Sequence, residues 1–266
     1  MRKLVTKELV LWAKRIMLVT GATPRPFRAS LVVTDRCNFR CTTCTKWMHP
    51  PDTSRELSAE AWEDVIDRLA GELITNRVTF SGGEPLLRDD VFRLVGYARE
   101  RGLFTTLITN GWGLLPAAVE RLRASGLSNL IVSLNGIQAG THDASRGMPG
   151  SHARIMAALP LLKRAGLRTT LETIVLRSNV DELVPLARLA QEAGLYGIMY
   201  QVLVDVRVHH PLDGEMEEIP EEWYREDDEW VVDTRRMADA LRDLRRLQRE
   251  GVPVLNRPSQ FRLMQH

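Results

Sequence analysis

The chain has 266 residues, of which 44% are hydrophobic and 26% are charged, and its formal net charge is +2. This composition is ordinary for a folded globular protein and argues against a largely disordered chain. Because residues of both signs are interspersed and nearly balanced, the charge predicts neither a nucleic-acid partner nor a membrane-surface partner.

Residues 1–26 begin with an apolar stretch that charged residues interrupt, namely Lys7, Glu8, Lys14 and Arg15. A stretch this short and this charged neither spans a bilayer nor forms the apolar core of a signal peptide. We therefore predict an amphipathic helix that packs on the domain without stable membrane insertion. Peripheral contact with a membrane surface is the alternative for the same pattern.

Strand-like runs alternate with amphipathic helical segments through residues 27–204, which we take as the core of the fold. The predicted strands are residues 31–34, 77–81, 105–109, 129–134, 169–176 and 197–204. Their nearly continuous apolar character is typical of parallel strands covered on both faces, and parallel strands need helical crossovers. The glycines after the helical segments predict left-handed C-terminal turns, at Gly102, Gly126, Gly166, Gly194 and Gly251. An α/β fold follows, either an open doubly wound sheet or a complete or partial barrel.

Smaller features complete this organisation. Asn179 and Glu182, three residues apart before a helical run, resemble a capping box. Residues 205–233 are polar, acidic and rich in Trp and His, which predicts a loop or lid over one end of the barrel. Residues 234–266 predict a last amphipathic helix, a short strand at 252–255 and a tail.

All three cysteines of the sequence, Cys37, Cys41 and Cys44, lie in the stretch CNFRCTTC directly after the first predicted strand. An odd, clustered set without a secretory signal does not indicate a disulfide framework and favours a cytoplasmic location. His49 could join the three thiolates in a structural zinc site. An iron–sulfur cubane held by three thiolates would instead leave one iron open to a ligand that is not protein. A thiol redox role is disfavoured because the C-x2-C pair lacks a thioredoxin-like setting.

The next three predicted strands also end in polar, glycine-rich motifs, namely SGGEP at 81–85, TNG at 109–111 and SLNG at 133–136. Because the carboxyl ends of parallel strands share one rim, these motifs are expected beside the cysteines. Two glycines let the backbone approach a ligand closely, and Glu84 can bind a charged amine. Glu172 lies inside an apolar strand, so we expect its carboxylate to point into the barrel lumen.

The series CNFRCTTC, SGGEP, TNG, VSLNG and HDASRG, within residues 31–255, resembles the radical S-adenosylmethionine (radical SAM) superfamily. The resemblance implies a partial (β/α)6 TIM-like barrel, here with an N-terminal helix and a C-terminal helix–strand extension. It also implies that Cys37, Cys41 and Cys44 bind a [4Fe-4S] cluster. The fourth iron of that cluster would be chelated by the amino and carboxylate groups of S-adenosylmethionine (SAM).

The resemblance also implies which residues contact SAM. The motif around Glu84 would hold the methionine amino group, Ser133 and Arg146 would contact the methionine moiety, and the sixth strand would cradle the adenosine. The full set of implied cofactor contacts is Gly82, Gly83, Glu84, Pro85, Thr109, Asn110, Ser133, Asn135, Arg146, Glu172, Ile198 and Gln201.

The implied activity is reductive cleavage of SAM to methionine and a 5′-deoxyadenosyl radical, which abstracts hydrogen from a substrate. The favoured substrates are a peptide and a cofactor or natural-product precursor, and the expected electron donor is a flavodoxin or ferredoxin. The alternative is a zinc-stabilised binding or scaffold protein, in which His49 is indispensable and SAM has no role.

Three features depart from the family pattern. Thr43 occupies the position before the third cysteine, where an aromatic residue usually packs near adenine, so that contact is weakened or lies elsewhere. Asn135 replaces the acidic residue of the usual SxDG motif. This sequence also has no cysteine after Cys44, whereas many relatives carry a SPASM or twitch extension with an auxiliary cluster. We expect either that the extension has been lost or that the chain is truncated before it.

Overall fold

The computed structural model describes residues 27–44, 46–48, 53–71, 75–202 and 232–264. The predicted N-terminal helix at 1–26, His49 and nearly all of the predicted acidic loop lie outside these residues. None of the helices in the described ranges is both long enough and apolar enough to cross a membrane.

Six parallel strands form one sheet whose order in space follows the order in the chain. The strands are β1 Arg28–Thr34, β2 Arg77–Gly82, β3 Phe104–Thr109, β4 Asn129–Ser133, β5 Thr169–Val175 and β6 Gly197–Val202. Each strand pairs in parallel with the next, and no pairing joins β1 to β6 within the described ranges. The sheet is therefore a partial barrel, which confirms the predicted α/β fold class.

Helices connect the strands and cover the outside of the sheet. They are α1 Ala59–Gly71, α2 Val91–Glu100, α3 Pro116–Ala124, α4 Ala139–Arg146, α5 Ser151–Arg164, α6 Leu183–Glu192, α7 Thr234–Arg249 and α8 Pro258–Leu263. Two helices, rather than a single crossover helix, lie between β4 and β5. The break between them is stabilised by Asp143, whose carboxylate accepts hydrogen bonds from the backbone N–H of Gly150 and of His152. At the C terminus, part of the predicted tail forms α8.

One face of the sheet carries the hydrophobic core, and the other faces a polar lumen. On β2, β3 and β4 the residues packed against the helices are fully buried, namely Val78, Phe80, Leu107, Leu130 and Val132. The alternate positions, such as Ser81, Ile108 and Ser133, are only partly buried and line a cavity. The strands are thus not covered equally on both faces, because the barrel is open and its interior is not filled by a second core layer.

The five glycines predicted to end helices all adopt positive φ angles, between +65° and +91°. The predicted capping box before α6 is wrong. Glu182 instead accepts hydrogen bonds from Ile137 N at 2.6 Å and Gln138 N at 2.9 Å, in the loop after β4. The side-chain amide of Asn179 donates to Asn135 O at 2.7 Å. Both side chains therefore satisfy backbone groups at the end of β4 rather than the start of a helix.

Residues 253–256 pack along the outer edge of β6. Ile198 donates its backbone N–H to Pro253 O at 2.9 Å, and its carbonyl accepts from Leu255 N at 2.8 Å. The Asn256 side chain then accepts from Tyr200 N at 2.9 Å and donates to Tyr200 O at 2.8 Å. The predicted strand at 252–255 is therefore a single bridge between Ile198 and Val254, extended by a side chain that imitates a strand backbone.

Replacing Asn256 with Ala is expected to lower the free energy of unfolding by about 2–4 kcal/mol, because two buried backbone groups of Tyr200 lose their partners. Asn256→Asp, which keeps the acceptor but places a buried carboxylate against Tyr200 O, is expected to destabilise at least as much as Asn256→Ala. The measurement is urea unfolding, with the exposed neighbour Arg262→Ala as the control. An Asn256→Ala midpoint equal to that of the control would contradict this account of the edge.

Candidate functional site

The three cysteines lie in the loop that follows β1, residues 35–44, called here the cysteine loop. The pairing of β1 with β2 shifts register between Val32 and Thr34, directly before the loop. Two backbone hydrogen bonds then join the loop to the end of β2. Gly83 N donates to Thr34 O and Glu84 N donates to Arg36 O, each at 2.8 Å. These two hydrogen bonds therefore position the first cysteine relative to the GGE motif.

The two glycines of that motif are required by the cysteine loop. A Cβ atom on Gly82 would lie 2.2 Å from Thr34 O, and one on Gly83 would lie 2.2 Å from Arg36 O. These are backbone atoms, which cannot rotate away. The glycines thus allow the two backbone segments to approach each other. Both residues also line the cavity described below, and close approach of a ligand there stays a prediction.

Glu84 joins the GGE motif to the TNG motif at the end of β3. Its side chain is 2% exposed. One carboxylate oxygen accepts from Thr109 Oγ1 at 2.8 Å and from Leu86 N at 3.1 Å, and the other accepts from Asn110 N at 2.6 Å. Burial raises the pKa of this carboxyl, while these hydrogen bonds oppose the rise. The second oxygen, with a single protein donor, retains capacity to accept from a ligand.

Helix α4, which carries HDASRG, holds the other side of the cysteine loop. Ser145 O accepts from Thr42 N at 3.0 Å and from Thr42 Oγ1 at 3.2 Å. A Cβ on Gly147 would lie 2.2 Å from Arg40 O, so the loop also passes directly against the end of the helix. The cysteine loop is thus bound to β2 at its start and to α4 at its middle.

Asn135 connects α4 to the sheet. Its backbone N donates to His142 Nδ1 at 3.0 Å, its amide donates to Ser145 Oγ at 3.3 Å, and its carbonyl side-chain oxygen accepts from Ile174 N at 3.2 Å. All of these are contacts within the protein, and the residue does not line the cavity. The structure therefore supports a positioning role for Asn135 rather than the cofactor contact implied by the resemblance.

The motifs meet around one cavity at the carboxyl ends of the strands, with an empty space of about 780 Å³ that includes the part open to solvent. Most of the residues expected at the site line it. They are Cys37, Cys41, Cys44, Gly82, Gly83, Glu84, Thr109, Asn110, Ser133 and Arg146. The barrel geometry therefore brings these sequence-predicted residues together around one cavity.

The three thiols are free and close enough to influence one another electrostatically. Burial raises the pKa values of Cys37 and Cys41, and the charge of Arg146 partly offsets this rise. In the described part of the chain no three His, Cys, Asp or Glu side chains are grouped to hold one metal ion.

Arg146 brings a buried positive charge to the cavity. Its side chain is 8% exposed, and its Nε atom is buried without a hydrogen-bond partner among the described residues. Its charge acts on the pKa values of Cys37, Cys41, Glu84 and Glu172. A buried guanidinium with an unused donor is a site for an anionic group of a ligand.

Glu172 and Gln201 lie together on the lumen side of β5 and β6, where Gln201 donates its amide N–H to the carboxylate at 2.6 Å. Burial raises the pKa of Glu172, and the charge of Arg146 lowers it. The expectation that Glu172 points into the lumen agrees with its pairing opposite Ser133. Neither of these two residues lines the cavity itself.

Ile198 and Pro85 are not brought to the cavity. Ile198 is fully buried in the core cluster, opposite Leu171, on the face of the sheet that packs against the helices. Pro85 is buried as the first residue of the turn 85–87. Because side chains alternate along a strand, Ile198 and Gln201 point to opposite faces. We leave both Ile198 and Pro85 out of the binding set that we propose below.

The cavity also contains residues that the sequence analysis did not select, including Phe39, Trp47, Ile108 and Ile174. Ile108 and Ile174 occupy lumen-facing positions, which strand alternation in register with Ser133 could have identified. Phe39 is packed edge-on against Trp112, with ring centroids 6.0 Å apart. Trp47 carries no motif signal, because it reaches the cavity through the turn that follows the third cysteine.

Comparison with known proteins places these observations in a family. The family model described as the radical SAM superfamily matches residues 31–190. The chain is 38% identical over 164 residues to an AdoMet-dependent heme synthase of Methanosarcina barkeri, covering 61% of this chain and 46% of that protein. It is 36% identical over 171 residues to a PqqA peptide cyclase of Ruegeria pomeroyi, covering 64% of this chain and 46% of that protein. The chain thus spans less than half the length of these curated relatives.

Solved structures share the fold at low sequence identity. Streptococcus suis SuiB bound to the precursor peptide SuiA matches with a TM-score of 0.71 and 13% identity, covering 90% of this chain and 50% of that one. The protein anSMEcpe with bound AdoMet matches with a TM-score of 0.64 and 17% identity, covering 85% and 62% of the two chains.

Replacing Gly83 with Ala is expected to disrupt the junction between β2 and the cysteine loop, because the added Cβ would collide with Arg36 O. We expect a loss of about 1–3 kcal/mol in the free energy of unfolding, and lower iron content after anaerobic reconstitution. Gly140→Ala is the matched control, since a Cβ there meets nothing within 4 Å and Gly140 lies inside α4. Equal iron content in the two variants would refute the steric argument.

His142 predicts a pH dependence of stability. Burial, followed by the charges of Arg146 and His152, lowers its pKa from 6.5 to about 3, against a smaller opposite effect of Asp143. The unfolded chain therefore binds a proton between these values that the folded chain does not. Stability is expected to fall as the pH drops below about 6.5, by up to about 1.4 kcal/mol per pH unit from this residue.

The pH test compares wild type with His142→Gln, whose side chain does not titrate. Urea unfolding at pH 7 and pH 5.5 is expected to show a smaller loss of stability in the variant than in the wild type. Parallel losses in the two proteins would show that another group causes the dependence.

Proposed function

Because the chain belongs to the radical SAM superfamily, whose cofactors are a [4Fe-4S] cluster and SAM, we propose that it binds both in the cavity at the carboxyl ends of its strands and cleaves SAM reductively. When bound, the cluster supplies one electron to the sulfonium of SAM, which yields methionine and a 5′-deoxyadenosyl radical that abstracts hydrogen from a substrate. The chain is an enzyme of this family.

The observation that supports the proposal is the chemistry of the groups around one cavity. Cys37, Cys41 and Cys44 provide three thiolates, one fewer than a cluster with four protein ligands requires. Glu84 and Arg146 face the same space. An open iron beside one buried carboxyl group and one buried guanidinium would match a ligand that carries an amino group and a carboxylate.

The protein residues have separate roles in this proposal. The three cysteines hold three irons of the cluster. The unpartnered Nε of Arg146 donates to the carboxylate of the methionine moiety, which offsets the cost of burying the guanidinium. The free capacity of Glu84 accepts from the methionine amino group, with Thr109 and Asn110 fixing the carboxylate. Ser133 contributes a hydroxyl to the wall of the cavity.

For the substrate, we propose a ribosomally made peptide, with a cofactor precursor as the second candidate. The names of the relatives support these two classes, since one is a peptide cyclase and the other a heme synthase. The structural neighbour bound to a precursor peptide adds support for the first. We further propose a flavodoxin or ferredoxin as electron donor. A chemical reductant replaces it in the experiment below.

The decisive experiment is anaerobic reconstitution with iron and sulfide, followed by SAM and dithionite, with 5′-deoxyadenosine and methionine measured by chromatography. Wild type is expected to show the EPR signal of a reduced cubane, perturbed by SAM, and to form both products. Cys41→Ala is expected to lose the cluster and at least about 100-fold of product formation, because a buried ligand is removed.

Arg40→Gln is the matched control, since Arg40 is exposed and lies between the first two cysteines. It is expected to retain both the cluster and the products. A wild-type protein that binds zinc, remains colourless after reconstitution and does not respond to SAM would overturn the proposal in favour of the zinc scaffold.

A further inference from the structure

Trp47 lies in the turn Lys46–Met48, three residues after Cys44, and lines the same cavity as the three thiols. Its indole N–H donates to Cys41 O at 3.0 Å. This hydrogen bond holds the indole ring against the backbone of the cysteine loop. The turn thus presents a large aromatic side chain at a defined place beside the cluster site.

The ring of Trp47 is incompletely covered although its polar atom is already satisfied. The residue is 40% exposed. The single indole donor is used by Cys41 O, so the rest of the side chain is apolar and gains free energy when a flat apolar partner covers it. An indole held in this way at a cavity is a stacking surface whose orientation does not depend on the ligand.

The other aromatic residue on the cavity wall, within the described part of the chain, is not available for this purpose. Phe39 is 2% exposed, and its ring is packed edge-on against Trp112. Thr43, which also lines the cavity, is 8% exposed and has no π face. Trp47 is therefore the described side chain that offers a π surface to a ligand in the cavity.

We propose that the adenine ring of SAM stacks on the indole of Trp47, an inference that rests on the function proposed above. The adenine is the one flat aromatic part of SAM. In the proposed function the methionine moiety lies between Arg146 and Glu84. The adenosine part of SAM then contacts another part of the cavity wall. Trp47 is hydrogen-bonded to Cys41 O. Stacking of the adenine on its indole would therefore position the adenosine relative to the cysteine loop.

The inference is tested with Trp47→Leu, Trp47→Phe and the control Met48→Leu, whose native residue is exposed and does not line the cavity. Each protein is reconstituted anaerobically, and its iron content is measured. SAM affinity is measured by equilibrium dialysis on the oxidised protein, in which no turnover occurs. Methionine, which lacks adenine, is the second probe, detected by its effect on the EPR signal of the reduced cluster.

Trp47→Leu is expected to bind SAM at least about ten-fold more weakly, the effect typical of removing an aromatic partner from a base. It is expected to bind methionine within about two-fold of wild type. Trp47→Phe keeps a π face and is expected to bind SAM within about three-fold of wild type, and Met48→Leu is expected to match wild type.

Several results would overturn the inference. Unchanged SAM affinity in Trp47→Leu would do so while leaving the proposed function intact. Equal losses for SAM and methionine, loss of iron, or equal losses in Trp47→Phe and Trp47→Leu would show that Trp47 acts through its bond to Cys41 instead. A wild-type protein that holds its cluster but binds no SAM would instead refute the proposed function itself.

Discussion

The site depends on the close approach of two backbone segments, the start of the cysteine loop and the end of β2. The hydrogen bonds from Gly83 N to Thr34 O and from Glu84 N to Arg36 O require that neither glycine carry a side chain. Since Glu84 is bound in turn to the end of β3, the same junction also fixes the TNG motif. These hydrogen bonds thus connect the cysteine loop, the GGE motif and the TNG motif. Helix α4 adds a further contact to the cysteine loop, between Thr42 and Ser145.

The ionisable groups around the cavity influence one another's pKa values. Glu84 is buried, and burial raises its pKa and those of Cys37 and Cys41, so each anionic form is disfavoured in the empty cavity. Arg146 opposes all three effects from a buried position. Metal binding must displace thiol protons, and a cation held nearby makes that displacement easier. A guanidinium that could move into water would lose this influence, because exposed charges are screened.

The sequence alone was enough to predict the order of the strands and the residues that meet at their carboxyl ends, because both follow from local patterns. Parallel strands place their carboxyl ends together, and short motifs mark those ends. It was insufficient where a residue's partner is distant in the chain. Glu182 satisfies a loop more than forty residues away, Asn135 is occupied by α4, and the core position of Ile198 depends on the pairing of β6. The contact of Gly83 with Arg36 likewise could not be predicted, because it joins segments that are distant in the chain.

The lumen-facing side chains of neighbouring strands form hydrogen bonds with one another. Polar side chains on neighbouring strands satisfy one another there, with Ser30 beside Ser81, Asn129 bonded to Thr170, and Gln201 bonded to Glu172. These hydrogen bonds orient the side chains, and each side chain keeps further capacity to donate or accept. Relatives of nearly equal identity over the same core bear the names of different activities. Under the proposed function, we therefore expect the choice of substrate to depend on residues other than the motifs at the strand ends.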